Sequence, residues 1–290
     1  LDEGDTEPTV ADRWIQARLG TVVDAFHNNF EEYRFDLASQ ALYDFTWHEF
    51  CDWYLELTKP VLSDPTTSPA TLRSTRRCLV EVLSTLLKLL HPIAPFVTEE
   101  LWLQLCKLTG KTSETLMLEA LPDAELFKPD AEAENEIEWL QAFVIGIRQI
   151  RGEMNISPGK HLPVRLAGAT SADRERLDRL GLYLNNLARL QDVGFVATAD
   201  EVPGAATAVL RHMTLLVPLE GLIDLAAERE RLARQQQQAR VELEKAQKKL
   251  GNPQFLANAP TEVVDGQRNR ENELQERLEQ LDAQLNRLQD

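Results

Sequence analysis

Apolar positions recur at spacings of three and four along most of the chain, which predicts a mainly helical fold. Thr9-Val10-Ala11-Asp12 reads as a capping box. Trp14, Ile15, Leu19, Val22, Val23 and Phe26 then carry a first helix to about Asn29, with Trp14 in the core. A second helix is expected from Asp36 to Lys59. Its Leu37, Ala41, Phe45, Trp47, Phe50, Trp53, Tyr54 and Leu57 cannot share one face at about 3.6 residues per turn. The segment is therefore expected to be enclosed on all sides, as the central post of a bundle. Ten of the 19 aromatic residues lie between Phe26 and Tyr54, which places the main core here and makes Trp47→Ala a destabilising change.

Ser68 followed by Pro69 starts a third helix that runs through Leu90. Pro92 and Pro95 interrupt it, and a shorter helix covers Thr98 to Lys107. Thr112 to Pro122 reads as extended. Another long helix spans Glu132 to Met154, with Ile137, Leu140, Phe143, Val144, Ile147 and Ile150 in step. After Pro158–Pro163 the period changes. Strands are expected at 164–166, 193–198, 207–210 and 214–219, with an amphipathic helix from Ser171 to Leu190. Arg211-His212 is the expected tight connection, although it lacks the Gly or Asn that such turns favour.

The last 69 residues follow a third pattern. Leu222, Leu225, Arg229, Leu232, Gln236, Ala239, Leu243, Ala246 and Leu250 keep unbroken 3-4 spacing, as do Leu274, Leu278, Leu281, Leu285 and Leu288. GNPQFLANAP separates the two ladders; Gly251 ends one helix and Pro260 can start the next. The simplest fold is an antiparallel coiled-coil hairpin with arms about 40 Å long, too thin to be a compact domain and so expected to project. The expected architecture is a helical bundle at residues 1–157, a small α/β domain at 158–220 and a coiled-coil arm at 221–290.

Composition narrows the function. With 43% hydrophobic and 27% charged residues the chain reads as soluble and globular. No apolar run approaches the roughly 20 residues that a membrane span needs, and no signal peptide is evident. The chain begins at Leu1, so it is expected to be a piece of a longer protein. Cys51, Cys78 and Cys106 are widely spaced in apolar patterns, which points to buried thiols in a reducing cytoplasm and away from a zinc site. The net charge of −16 argues against nucleic acid as an average, yet a basic stripe can persist on an acidic background. Between Glu228 and Leu250 there are seven Lys/Arg against four Asp/Glu, and between Thr261 and Asp290 four against eight. The first arm helix is the better phosphate-facing side.

Motifs for covalent chemistry are missing. None of the five histidines is followed by x-Gly-His, and no lysine precedes Met117, Met154 or Met213, so neither of these two ATP-site signatures occurs. Gly110-Lys111-Thr112 resembles the end of a P-loop, but Leu105 stands where glycine is required. Pro158-Gly159-Lys160 reads as an exposed turn. No nucleophile–base set is present, and the chain itself is expected to be catalytically inactive and metal-free.

The same residues carry a family resemblance along nearly the whole chain. FCDWYLELTKP, DRWIQARL, LLKLLHPIAPFVTEELW and IRQIRGEMNISPGK resemble the anticodon-binding region of class I aminoacyl-tRNA synthetases, the last being closer to the valine enzymes. VPLEGLIDLAAERERL and LGNPQFLANAPTEVVDGQR resemble the C-terminal arm of bacterial valyl-tRNA synthetases. The resemblance implies a parent enzyme that joins valine to its tRNA with ATP and Mg²⁺, monomeric and cytoplasmic, with its catalytic and editing domains outside this chain. It implies that the bundle receives the anticodon stem-loop and that the arm leans on the outer corner of valine tRNA. Alternatives are the equivalent region of an isoleucyl- or leucyl-tRNA synthetase, or a non-catalytic coiled-coil scaffold.

Candidate tRNA-binding residues in the bundle are Arg13, Arg18, Arg73, Arg76, Arg77, Arg148 and Arg151. In the arm they are Arg231, Arg234, Arg240, Lys245, Lys248, Lys249 and, for stacking, Phe255. Each has a plainer reading as well. The Arg73 cluster can be a solvated helix face, Arg148 and Arg151 can complement a helix dipole, and the arm cations can pair across the coiled coil.

Overall fold

The computed structural model describes residues 4–222, 225–251 and 261–287. Six helices come first: α1 (Val10–Glu31), α2 (Phe35–Asp44), α3 (Leu55–Ser63), α4 (Pro69–Leu90), α5 (Pro95–Thr109) and α6 (Ala131–Glu153). They are followed by β1 (Leu162–Ala167), α7 (Ser171–Ala188), β2 (Leu190–Val196), β3 (Ala205–Leu210), β4 (Met213–Pro218), α8 (Leu225–Leu250) and α9 (Thr261–Arg287). The chain divides into two compact units. One is Leu1–Ala142 with Glu175–Leu187, and the other is Phe143–Arg174 with Ala188–Asp290.

In the first unit α1 starts on the expected capping box. Thr9 Oγ1 accepts from the Asp12 N–H at 3.1 Å, and Asp12 Oδ2 accepts from the Thr9 N–H at 3.0 Å. The Asp12 carboxyl is buried and takes two further hydrogen bonds, from the Tyr54 hydroxyl at 2.7 Å and the Thr75 hydroxyl at 2.9 Å. One side chain thus caps α1 and ties it to the aromatic segment and to α4. Ser68 caps α4 by accepting from the Thr71 N–H, with Pro69 in the first turn as expected.

The aromatic segment departs from expectation. Between α2 and α3 the chain winds as a π-helix, Phe45–Tyr54, in which an N–H reaches back five residues, as Leu55 does to the carbonyl of Phe50. The wider turn advances the chain less per residue. Ala38, Leu42, Phe45, Phe50, Tyr54, Thr58 and Val61 fall within roughly a third of the circumference on this winding, where a plain α-helix would scatter them. All seven are buried. Trp47 is turned outward and is 54% exposed, as are Tyr43 and Leu37 in large part. The segment is therefore a one-faced helix, not an enclosed post, and the expectation that Trp47 is buried is corrected.

A smaller cluster packs Leu87 of α4 against Trp102, Leu105 and Cys106 of α5 and against Leu116. The Trp102 indole N–H donates to Ser113 Oγ at 3.0 Å, and Lys111 lies over its ring at 4.4 Å. The stretch expected to be wholly extended holds a 3₁₀ turn at Leu116–Leu118, and another follows at Ala124–Leu126. Thr115 and Asp123 start them by accepting from the N–H two residues on, a local competition that period counting does not register. Cys78 and Cys106 are buried as expected, while Cys51 is only half-buried.

The second unit holds a four-stranded sheet in the order β2-β1-β4-β3. β1 and β2 are parallel, joined through α7, and β4 pairs antiparallel with both β1 and β3. β3 and β4 form a hairpin through Arg211-His212, with Arg211 at φ 53° taking the position that glycine usually fills. The C-terminal half of α6 lies against this sheet at Gly146, where an added Cβ would stand 2.8 Å from Leu215 and 3.4 Å from Ala208.

α8 and α9 pack on each other. On α8, Leu232, Ala239 and Ala246 are buried, with Gln236, Leu243 and Leu250 half-buried between them. This is an a/d heptad seam. On α9, Val264, Leu274 and Leu281 are buried and Gln267, Glu271, Leu278 and Leu285 complete the facing seam. Gln236 bonds Asp282, and Arg270 donates to Glu242 at 2.8 Å, so the pairing runs antiparallel. No helix among the described residues is long and apolar enough to cross a membrane.

Candidate nucleic-acid interface

The cations proposed from sequence fall into three groups. In the first, salt bridges hold the guanidinium. Arg13 reaches Asp130 at 3.2 Å and Glu132 at 3.3 Å. Arg18 makes a two-pronged pair with Glu49, 2.8 Å on each prong. That pair raises the Arg18 pKa against the opposing effect of burial. In the second group, the backbone uses the side chain. Arg73 donates to the Asp5 carbonyl at 3.0 Å. Arg151 is buried, and its two terminal nitrogens donate to the carbonyls of Ser157, Lys160, Ala188 and Arg189. Burial and nearby Arg189 lower its pKa. Arg151 is thus a strut that joins the end of α6 to the turn before β1 and to the end of α7.

The remaining cations lie at or near the surface. Arg76 is exposed on α4 beside half-buried Arg77, and Arg148 is exposed on α6. On α8, Arg234, Arg240, Lys245, Lys248 and Lys249 are all exposed, and Arg231 is half-buried. Arg234, Lys245 and Lys248 lie 11 and three residues apart on a helical ladder opposite the Leu232–Ala239–Ala246 seam, with Lys249 beside them. Among the described residues only Arg234 of this ladder is in an ion pair, with Glu230 of its own helix. Phe255 lies outside the described residues.

Sequence reading missed a concave site on the bundle. Trp14, Arg18, His48, Glu49, Trp53, Glu134, Glu138 and Gln141 line a pocket of about 380 Å³. The three carboxylates and the committed Arg18 make it a poor seat for phosphate. Carboxylate and amide groups beside the half-buried Trp53 ring do match the edge and face of an unstacked base, which recognition of single-stranded RNA loops requires, while Trp14 is 4% exposed and offers no free ring face. His48, Glu49 and Trp53 were assigned to an enclosed helix, and only the π winding brings them to this surface. Tyr43 and Trp47 continue the exposed aromatic surface, with the Tyr43 ring edge-on to His48 at 6.1 Å.

Gly110 ends α5 in a left-handed conformation, and Lys111 bonds Glu119 at 2.8 Å, so this pair forms no phosphate cradle at a helix start. Among the described residues, no group of three or more His, Cys, Asp or Glu is placed to hold a metal.

Known proteins align with this geometry. Residues 12–166 match the family of the anticodon-binding domain of tRNA ligase. Residues 224–289 match the valyl tRNA synthetase tRNA binding arm. The valine–tRNA ligase of Stenotrophomonas maltophilia is 43% identical over 91% of this chain, and that of Legionella pneumophila 41% identical over 90%. The Xylella fastidiosa ligase is 42% identical over 90%. The chain spans only 28%, 28% and 26% of these three relatives' own lengths.

Proposed function

This chain belongs to the anticodon-binding family of tRNA ligases and carries the arm of the valyl enzymes, and on that premise we propose that it holds valine tRNA at two places. The bundle takes unstacked anticodon bases at the Trp14–Trp53 pocket, and the arm tracks phosphates at the outer corner of the tRNA. The proposed working parts are the bundle at 1–157, the small α/β domain at 158–220 and the arm at 221–290. The parent would be a monomeric, cytoplasmic valine–tRNA ligase whose ATP- and Mg²⁺-dependent step is carried out by residues outside this chain.

The observation that carries the reading is the outward ladder of Arg234, Lys245, Lys248 and Lys249 on a chain of net charge −16. Cations concentrated opposite a coiled-coil seam do nothing for the seam, but each can neutralise a phosphate. The test is a gel-shift titration with valine tRNA against an unrelated tRNA. Changing Lys245, Lys248 and Lys249 together to Glu should weaken binding at least tenfold. It should also flatten the salt dependence by roughly two to three counterions. Equal binding of both tRNAs, or no effect of the triple change, overturns the proposal.

A further inference from the structure

The apolar surface of α5 runs well past the stripe that its own core uses. Thr98, Trp102, Leu105 and Cys106 are buried. Val97, Leu101 and Leu108 lie in line beside that stripe with 58%, 48% and 84% exposure, Ile93 just before the helix is 46% exposed, and Phe96, on the far side of Glu100 and Lys107, is 89% exposed. A surface helix keeps one apolar stripe for its own core, and exposed apolar side chains beyond it signal a partner.

We infer that this outer face of α5 is the seat of the part of the parent ligase that lies outside this chain, as an interface between domains of one polypeptide. The inference rests on the reading of the chain as part of a valine–tRNA ligase, of which its relatives are more than three times as long.

Three properties of the face select this occupant. Its charge is balanced, with Glu100 and Lys107 the exposed ionisable groups of the helix, so it offers no surplus cation to RNA phosphates. Its five apolar side chains amount to roughly 500 Å², below the roughly 800 Å² per partner of a stable complex between separate molecules. Tethering removes the need for that area, because a linked domain is present at roughly millimolar effective concentration. A face too small for a second copy is large enough for a covalently joined neighbour.

The test is hydroxyl-radical footprinting of Phe96, Leu101 and Leu108 in the full-length ligase and in this chain alone, both without tRNA. At least fivefold slower oxidation in the full-length enzyme is expected, unchanged on tenfold dilution. Equal oxidation in the two proteins overturns the inference. Protection that needs added tRNA, or that fades on dilution, overturns it in favour of RNA or of a second copy. Val97→Glu with Leu101→Glu should remove the protection in the full-length enzyme. In this chain the same change should leave tRNA binding and the melting temperature as they were, which separates this inference from the tRNA-binding proposal. Persistence of full protection in the double variant also overturns it.

Discussion

The Tyr54 hydroxyl donates to Oδ1 of Asp12 at 2.7 Å, joining the end of the π segment to the first turn of α1. Burial, then Cys78 and Asp12 nearby, push the Tyr54 pKa well above the usual phenol range, so the group remains a donor. Tyr54→Phe should lower unfolding free energy by about 1–2 kcal/mol. Asp12→Ala should cost more, about 3 kcal/mol, because the cap goes as well and two hydroxyls lose their acceptor. Urea titrations compare the variants, and an unchanged midpoint for Tyr54→Phe would show that the bond adds nothing net.

Trp47 and Trp102 look alike in sequence, as lone tryptophans in apolar helices. Trp47→Ala should change stability by less than about 0.5 kcal/mol, as at other exposed positions. Trp102 is 1% exposed, and its replacement by Ala should cost about 3–5 kcal/mol. Thermal melts that ranked the two the other way would contradict the outward placement of Trp47.

Asp173 caps α7 from within, bonded by the Thr170 N–H at 2.8 Å, the Thr170 hydroxyl at 2.6 Å and His212 Nε2 at 2.7 Å. Burial pushes its pKa up, but the bonds from Thr170 and His212 outweigh burial and bring it down to about 2. A carboxyl depressed on folding stabilises above its unfolded pKa of about 3.9 and loses that contribution as pH falls through its folded value. About 2 kcal/mol should disappear between pH 4 and 2. Asp173→Asn should flatten this part of a stability-versus-pH curve, and an identical acid limb in both proteins would refute the assignment.

Gly20 lies mid-helix in α1, where alanine would ordinarily stabilise by about 1 kcal/mol. Here the added Cβ would stand 2.7 Å from the Cβ of Phe127. Gly20→Ala should therefore destabilise by about 1–3 kcal/mol, the usual cost of overpacking. Calorimetry that shows a rise in melting temperature would mean that the Phe127 segment yields freely.

Elements with local punctuation were legible in the sequence. Thr9/Asp12 and Ser68/Pro69 start their helices where expected, and alternation located all four strands. The seam of the arm was also legible, because a/d spacing encodes it directly. Helix period was not legible at Phe45–Tyr54. Counting at 3.6 residues per turn put buried and exposed aromatics on every side, and the pocket of Trp14, His48 and Trp53 vanished with the error. Charge location was legible and charge commitment was not. Arg151 and Lys245 are both cations near helix ends, yet one is consumed by four carbonyls and the other faces solvent.

Ten residues of π winding complete the same angle as roughly eight of α winding. The segment therefore stores about two surplus residues inside a continuous rod, where other folds would need a loop. Removing two residues from Phe45–Tyr54 would let an ordinary α-helix arrive at Leu57 at nearly the same angle about the axis relative to Leu42. The aromatic stretch works as a splice that absorbs a change in chain length, and the outward tryptophan is the slack made visible.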